Sequence, residues 1–193
     1  MKTTLRPPMW GNFIFHADHD LLAFPWLFCG GLRVAGYYHA TQAIEKYLKS
    51  LALSVVDPNG VSVTSRNEKW IRTHDLSRLA ERVKSHYPYY GQAPVAANLD
   101  FAEFDQLARY PWVTQKHGNG FTSADVPVLC DLIMHLRTDI PIQRDDYPLG
   151  VIVRGFHQGN PDQAANKHFI SELSGAVKAL RQLFPDVEKL VRW

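Results

Sequence analysis

A helical stripe in the second quarter of the chain is the strongest structural signal in this sequence. Between Gly36 and Val55 the side chains of one face recur at alternating intervals of four and three residues, and they are Tyr37, Thr41, Ile44, Leu48, Leu51 and Val55. This spacing follows the α-helical period, so it predicts an amphipathic helix of about five turns with one buried face. The sequence Asp57-Pro58-Asn59-Gly60 is typical of a turn and predicts the end of that helix.

Comparable apolar spacing elsewhere predicts further helices and few strands. The helical segments lie near residues 13–28, 73–85, 96–108, 122–136 and 160–185. Pro25 is expected to kink or end the first of them. Two short strands, near residues 61–63 and 151–153, remain as alternatives to loops. We therefore expect an all-α fold, an antiparallel up-and-down bundle of five to six helices with a C-terminal helical extension.

The expected domain organisation follows from these segments and from composition. Residues 1–12 form an N-terminal segment, residues 13–119 the helical bundle, and residues 120–193 a C-terminal helical extension packed on the same domain. The chain has 193 residues, of which 46% are hydrophobic and 21% charged, so it can form one core and is not globally disordered. The formal net charge of +2 is too balanced to indicate nucleic-acid binding by itself.

Cysteine usage and hydropathy predict a cytoplasmic protein without a membrane span. Cys29 and Cys130 are too few for a disulfide framework and form no CxxC motif, so we expect reduced, buried thiols. The longest uncharged stretch near the N-terminus, residues 21–32, has 12 residues and is interrupted by proline and glycine. Neither GxGxxG nor GxxxxGK[ST] occurs, and no cofactor is expected.

The far face of the helix at residues 36–55 carries the best candidate ligand site. Its members lie at positions i, i+3, i+7 and i+10, and we call them the polar stripe: His39, Gln42, Lys46 and Lys49. Two ammonium groups on one helical face can bind a phosphate. The commoner alternative is a polar side that faces solvent or a second copy of the chain.

Three further groups of residues have a structural and a chemical interpretation. His74 and Asp75 either handle protons or, more commonly, cap a helix start. Arg109 and Tyr110 either bind an anion or hold the terminal carbonyls of a helix. The His16-x-x-His19-Asp20 spacing suits a metal, but no second ligand cluster accompanies it, so we expect no metal site.

Three segments taken together resemble the HEPN family of helical domains (higher eukaryotes and prokaryotes nucleotide-binding). The run from Tyr37 to Lys49 is similar to the family's second helix, in which an aromatic residue precedes a Gln-Ala-x-Glu-Lys-x-Leu-Lys pattern. His74-Asp75-Leu76 is similar to the start of its third helix, and Arg109-Tyr110-Pro111 to a segment that closes its core. The resemblance covers roughly residues 13–112 and leaves residues 120–193 outside it.

The resemblance implies a small antiparallel bundle that is commonly homodimeric. Family members associate with nucleotidyltransferases, bind nucleotides, or act as metal-independent ribonucleases, often in toxin–antitoxin pairs. The ribonucleases share an Arg-x(4–6)-His motif on a later helix. The corresponding residues here, Arg109 and His117, are separated by seven residues, and Pro111 lies between them. Arg33 and His39 have the spacing, but Gly36 intervenes and we expect Arg33 in the turn before the helix.

The prediction that follows is a HEPN-like module without robust catalysis. It binds a nucleotide, or RNA, or a nucleotidyltransferase-type partner, and forms a homodimer. The first alternative is a metal-independent ribonuclease, such as a toxin, that uses the Arg/His candidates Arg33, His39, Arg109 and His117. The second alternative is a structural or assembly protein that uses its aromatic surface.

Overall fold

The structure is a computed structural model that describes residues 9–58, 69–106, 126–140, 178–179 and 181–185. This part of the chain is helical and contains no strand, which confirms the predicted all-α class. The α-helices are α1 (Met9–Cys29), α2 (Arg33–Val56), α3 (Leu76–Val83), α4 (Ala93–Gln106) and α5 (Val126–Asp139). Two short 3₁₀ helices, Lys69–Arg72 and Pro88–Gly91, precede α3 and α4.

Helices α1 and α2 form an antiparallel hairpin joined by a turn at residues 30–32. The rings of Phe28 and Tyr37 meet next to the turn with their centroids 5.5 Å apart. At the far end of the hairpin, the Lys49 ammonium lies 5.9 Å from the centroid of the Phe13 ring. Contacts at both ends show that the two helices run alongside each other over most of their length.

Gly36 lies inside α2, where the hairpin is tightest. A Cβ atom at this position would lie 3.0 Å from the backbone nitrogen of Phe28 and 3.1 Å from the carbonyl oxygen of Phe24. Gly36 therefore permits the close approach of two helix backbones and does not interrupt α2. The expectation that Arg33 lies in the turn is wrong, because Arg33 is the first residue of the helix.

Pro25 also lies within a helix. Helix α1 continues past it to Cys29, so of the two expected outcomes, a kink or an end at Pro25, the end does not occur. The backbone hydrogen bonds from Gly30 N to Trp26 O and from Leu32 N to Leu27 O, both 2.9 Å long, close the last turn after the proline. Gly31 follows with a positive φ of 88°, a conformation that glycine adopts without strain.

Helix α2 is the centre of the bundle, since it packs against α1, α3, α4 and α5. The predicted core residues of α2 and α3 are buried, and they are Tyr37, Ile44, Leu48, Leu51, Leu76 and Leu79. The side chains of Phe101 and Phe104, also predicted to face the core, lie outside the described set. Close packing around one helix on all sides explains why few of its polar residues face solvent.

The C-terminal region is described only in part. Residues 178–179 and 181–183 are helical, within the predicted segment 160–185. Phe184 is buried, and its ring packs edge-on against Phe24 of α1 with the centroids 6.3 Å apart. The two predicted strands and the predicted start of the fifth helix at residues 122–125 lie outside the described residues.

The two cysteines differ in their surroundings. Cys130 on α5 is buried as predicted, and burial, followed by the charge of Asp131, raises the pKa of its thiol to about 12. Cys29 at the end of α1 is exposed, so the prediction of a buried thiol is wrong there; its Sγ donates to Gln182 Oε1 at 3.7 Å. None of the described helices is both long and apolar enough to cross a membrane.

Candidate functional site

The polar stripe of α2 is partly buried. The Gln42 and Lys49 residues retain only 8% and 5% of their solvent exposure, and His39 and Lys46 are intermediate. The alternative of a solvent-facing polar side therefore does not describe Gln42 and Lys49. Buried polar groups require partners, so their contacts define what this face can do.

Asp20 of α1 joins two members of the stripe. Nδ1 of His39 lies 2.8 Å from Asp20 Oδ1, and the Lys46 ammonium donates to Asp20 Oδ2. We call Asp20, His39 and Lys46 the Asp20 triad. Because Asp20 itself is buried, it holds the His39 ring and the Lys46 ammonium at the junction of α1 and α2.

Glu45 of α2 forms a second arrangement of the same kind. The Lys49 ammonium donates to Glu45 Oε1 at 2.5 Å, and Nδ1 of His74 lies 3.0 and 3.1 Å from the two carboxylate oxygens. Burial would raise the pKa of Glu45, but Lys49, and then His74, hold it below its ordinary value. We call Glu45, Lys49 and His74 the Glu45 triad; its histidine is the exposed member, with 62% of its side chain accessible.

Gln42 lies between the two triads. On the helix it is three residues after His39, three before Glu45 and four before Lys46, so it shares a face with all of them. Its Nε2 atom is buried and has no hydrogen-bond acceptor within the described part of the chain. Leaving such a donor unsatisfied costs about 1–3 kcal/mol, so an acceptor that arrives at this point is stabilised.

A third carboxylate fixes the helices that carry the triads. Asp18 Oδ1 accepts hydrogen bonds from the Tyr47 hydroxyl at 2.5 Å and from Arg137 Nε at 3.1 Å, and all three residues are buried. Burial, and then Asp18, raise the pKa of Tyr47, so its hydroxyl stays protonated. These contacts tie α1, α2 and α5 together, and thereby hold Asp20 in register with α2.

The predicted pair His74–Asp75 separates into two roles. The Asp75 carboxylate accepts a hydrogen bond from Arg78 N at 2.6 Å and is the N-cap of α3. This confirms the structural interpretation for Asp75. His74 turns instead toward Glu45, so only the histidine of the pair belongs to the site.

The predicted site residues outside the polar stripe and the His74–Asp75 pair do not contact the two triads in the described part of the chain. The Arg33 guanidinium lies 5.9 Å from the Phe28 ring centroid. His39 lies six positions after Arg33 along α2, which places the two residues about 120° apart around the helix. Arg109, Tyr110 and His117 lie outside the described residues.

Sequence reasoning did not identify Asp20 and Glu45 as site residues, although both lie in segments that it singled out. One signal could have found Asp20: Asp18 and Asp20 are the only residues with a full formal charge in the 21 residues of α1. Ionised groups in such an apolar helix need buried partners. The identity of those partners depends on how α1 and α2 face each other.

No group of three or more His, Cys, Asp and Glu side chains with metal-binding geometry occurs among the described residues. His19, part of the predicted histidine pair on α1, instead has its Nδ1 2.9 Å from the carbonyl oxygen of Phe15. The site consists of imidazole and ammonium nitrogens held by carboxylates, together with the amide nitrogen of Gln42.

Comparisons of the chain with protein-family models, with curated proteins and with solved structures found no match. The resemblance to the HEPN family therefore stays a prediction that rests on the quoted segments.

Proposed function

We propose that this chain is a HEPN-like helical module that binds a phosphorylated nucleotide at the polar stripe of α2. Its action is binding, and robust catalysis is not part of it. The observation that carries the proposal is the buried Nε2 donor of Gln42, which has no acceptor among the described residues and lies between two lysine–histidine pairs.

A phosphate group matches what this face offers. Phosphate oxygens are strong acceptors, and hydrogen bonds to them from amide, imidazole or ammonium nitrogen are charge-assisted. Gln42 supplies the unsatisfied donor, while His39 and Lys46 stand beside it and are partly accessible to solvent. The low exposure of Gln42 strengthens each of these interactions relative to water.

The same contacts favour binding over catalysis. Lys46 and Lys49 are each held by a carboxylate, so their charge is already partly balanced in the resting protein. Arg33 does not share the face of His39, so Arg33 does not supply the arginine that the ribonuclease motif pairs with the histidine. Catalysis of phosphoryl chemistry depends on such positioned cations.

A partner protein is the second part of the proposal. Trp26, Leu32 and Val34 are large apolar residues at the α1–α2 turn, and each is about half exposed or more. Exposed apolar clusters of this kind mark protein-interaction surfaces. Together with the family resemblance, they support a homodimer or a nucleotidyltransferase-type partner docked at the turn.

Nucleotide binding is tested by isothermal titration calorimetry with ADP and, for comparison, adenosine. We expect wild-type protein to bind ADP and not adenosine, and Gln42→Leu to bind ADP about 10- to 100-fold more weakly, the worth of one hydrogen bond to a charged group. Lys84→Met is the control, because Lys84, at the C-terminal end of α3, pairs with Glu81 on the exposed side of that helix. Equal ADP affinity of wild type and Gln42→Leu would contradict the proposal.

One observation favours the ribonuclease as a second candidate. Asp20 holds Nδ1 of His39, and a carboxylate that orients a histidine is a common arrangement for a general base. We expect that His39→Ala changes RNA degradation in the presence of a chelator no more than the control His86→Ala does. His86 is an exposed histidine whose ring contacts Ser85. Specific cleavage by wild type that only the His39 variant abolishes would establish the ribonuclease instead.

A further inference from the structure

We infer that the exposed cations on α3 and on the 3₁₀ helix before it form a docking surface for an acidic segment of a partner protein. This surface is separate from the polar stripe and goes beyond the proposed nucleotide site. It consists of four exposed residues, which we call the basic face: Lys69, Arg72, Arg78 and Arg82.

Local structure brings these four side chains to adjoining elements. Lys69 and Arg72 lie three positions apart in a 3₁₀ helix, so they share one side of it, and Trp70 between them is buried. Arg78 and Arg82 lie four positions apart on α3 and also share a side. The Arg82 guanidinium lies 4.6 Å from the centroid of the Trp70 ring, so the two elements are joined at this contact.

Positive charge is concentrated in this part of the chain. From Lys69 to Lys84 there are five Lys and Arg residues against two Asp and Glu residues, a net charge of +3, whereas the whole chain has +2. Both acidic residues of the segment are already engaged. The Asp75 carboxylate accepts a hydrogen bond from Arg78 N, and Glu81 pairs with Lys84. The balanced total of the chain thus conceals a local excess of cations.

Three members of the basic face have no counter-charge within the described part of the chain. Lys69, Arg78 and Arg82 form no ion pair there, although the lysines of both triads and the buried Arg137 each pair with a carboxylate. A partner that brings carboxylates supplies what these side chains lack. Arginine suits this role, because its planar guanidinium binds a carboxylate through two parallel hydrogen bonds.

The same surface favours an acidic protein segment over a nucleic acid. Proteins that hold single strands combine cations with aromatic side chains on which the bases stack. Here Trp70 retains only 5% of its exposure and is covered by Arg82. Helix α3 also lies against the bundle through Leu76, Leu79 and Val83, so it does not project as a helix that enters a DNA groove. Carboxylates need neither feature, and complementary charge then selects the partner.

The test is fluorescence anisotropy of a labelled polyglutamate peptide of about 12 residues, in about 50 mM salt, where exposed charges are weakly screened. We expect wild type to bind this peptide, and Lys69→Glu/Arg78→Glu to bind it at least about tenfold more weakly, because like charges then face each other. The matched control is Arg33→Glu/Lys178→Glu, which makes the same change of charge at exposed residues outside the basic face. It should bind within about twofold of wild type.

Wild-type protein alone supplies a second measurement that no folding defect of a variant can affect. Raising the salt to about 1 M, where the Debye length is about 3 Å, should abolish peptide binding. Absence of binding at low salt, binding that salt does not weaken, or equal weakening in both double variants would overturn the inference. An oligouridylate of the same length that binds more tightly than the peptide, and is lost in Lys69→Glu/Arg78→Glu, would overturn it in favour of RNA.

Discussion

Three of the buried carboxylates organise the polar interior of the described helices. Each accepts hydrogen bonds from two side chains on neighbouring turns or neighbouring helices, and they are Asp18, Asp20 and Glu45. A buried carboxylate is tolerated only when its partners compensate for the water that it loses. The network around these residues is therefore both a source of stability and the frame of the candidate site.

Removing the charge of Asp18 should destabilise the protein strongly. In Asp18→Asn the guanidinium of Arg137 stays buried without a counter-charge, and such a loss costs about 3–5 kcal/mol. The free energy of unfolding is measured by urea denaturation. Glu81→Gln is a matched control, since Glu81 pairs with Lys84 on the surface and should change stability by about 0–1 kcal/mol. Equal small losses in both variants would contradict the buried ion pair.

Glu45 should make stability depend on pH in the acid range. Its folded-state pKa is lowered by Lys49 and His74, which outweigh its burial, so the unfolded chain takes up a proton first as the pH falls. The stabilisation is complete above the ordinary carboxyl pKa of about 4.3 and is lost as the pH falls through the lower folded value.

We therefore expect the free energy of unfolding of wild type to fall more steeply below about pH 4.3 than that of Glu45→Gln. Urea denaturation across about pH 3–7 measures both slopes. Glu81→Gln should keep the wild-type slope, because its carboxylate is exposed. Parallel curves for wild type and Glu45→Gln would show that Glu45 is not held in its ionised form.

For individual residues, sequence spacing could predict the polar stripe and the cap at Asp75. It could not predict which carboxylates contact the side chains of the stripe. Spacing along one helix places side chains on a common face. Which carboxylate meets that face depends on the rotation and register of the neighbouring helix, and these are tertiary properties. Asp20 therefore enters the site only once α1 is packed on α2.

The α1–α2 hairpin is the element that sets this register. Its turn is three residues long, and Gly36 brings the two backbones together just beyond it. Because the contact at Gly36 lies close to the turn, it determines how Asp20 is presented to His39 and Lys46 further along. The packing of α1 on α2 at Gly36 thus helps to set the position of Asp20 in the candidate site.

Gly36→Ala should force the hairpin apart. The added methyl group would lie 3.0–3.1 Å from the backbone and Cβ of Phe28 and the carbonyl of Phe24, none of which is a flexible side-chain end. Overpacking of this kind costs about 1–3 kcal/mol. Thermal or urea denaturation measures the change in stability.

Gly91→Ala provides the control for that substitution. A Cβ at Gly91 would lie 3.5 Å from Lys84, an ordinary contact distance, so we expect a change within about 0.5 kcal/mol. A Gly36 variant as stable as the Gly91 variant would mean that the two helices are less close than described.

Helical periodicity predicted most of these elements, and the errors fall at proline and glycine. The start of α2 was predicted at Gly36 and lies at Arg33, and α1 continues past Pro25. Both residues are helix breakers in isolation. At position 36 packing outweighs that preference, because the close approach of the two helices requires a residue without a side chain. At Pro25 the helix continues for only about one more turn, to Cys29.

In the molecule as a whole, α2 is the central helix of the described bundle, and it carries the polar stripe. It contacts α1, α3, α4 and α5, and most of its residues from Gly36 to Leu53 are buried. Because α2 is surrounded by other helices, part of its polar stripe lies in the interior of the bundle. A ligand bound at the stripe, as we propose, would therefore meet low solvent exposure, and α1 and the segment before α3 would supply further groups.

The apolar turn of the hairpin should make the protein a homodimer. We expect sedimentation velocity to show a species of twice the chain mass of 22.0 kDa, and Trp26→Glu to shift it toward the monomer because a charge would enter the contact. Val56→Glu, at the opposite end of α2, should leave the dimer intact. A single 22.0 kDa species of wild type at high concentration would count against self-association.

The proposed function depends above all on the acceptor that Gln42 finds. A crystal structure of the protein with ADP and without added metal measures this directly. We expect a phosphate oxygen within about 2.7–3.2 Å of Gln42 Nε2, with His39 and Lys46 beside the same phosphate group. ADP bound elsewhere, with Nε2 still lacking an acceptor, would contradict it.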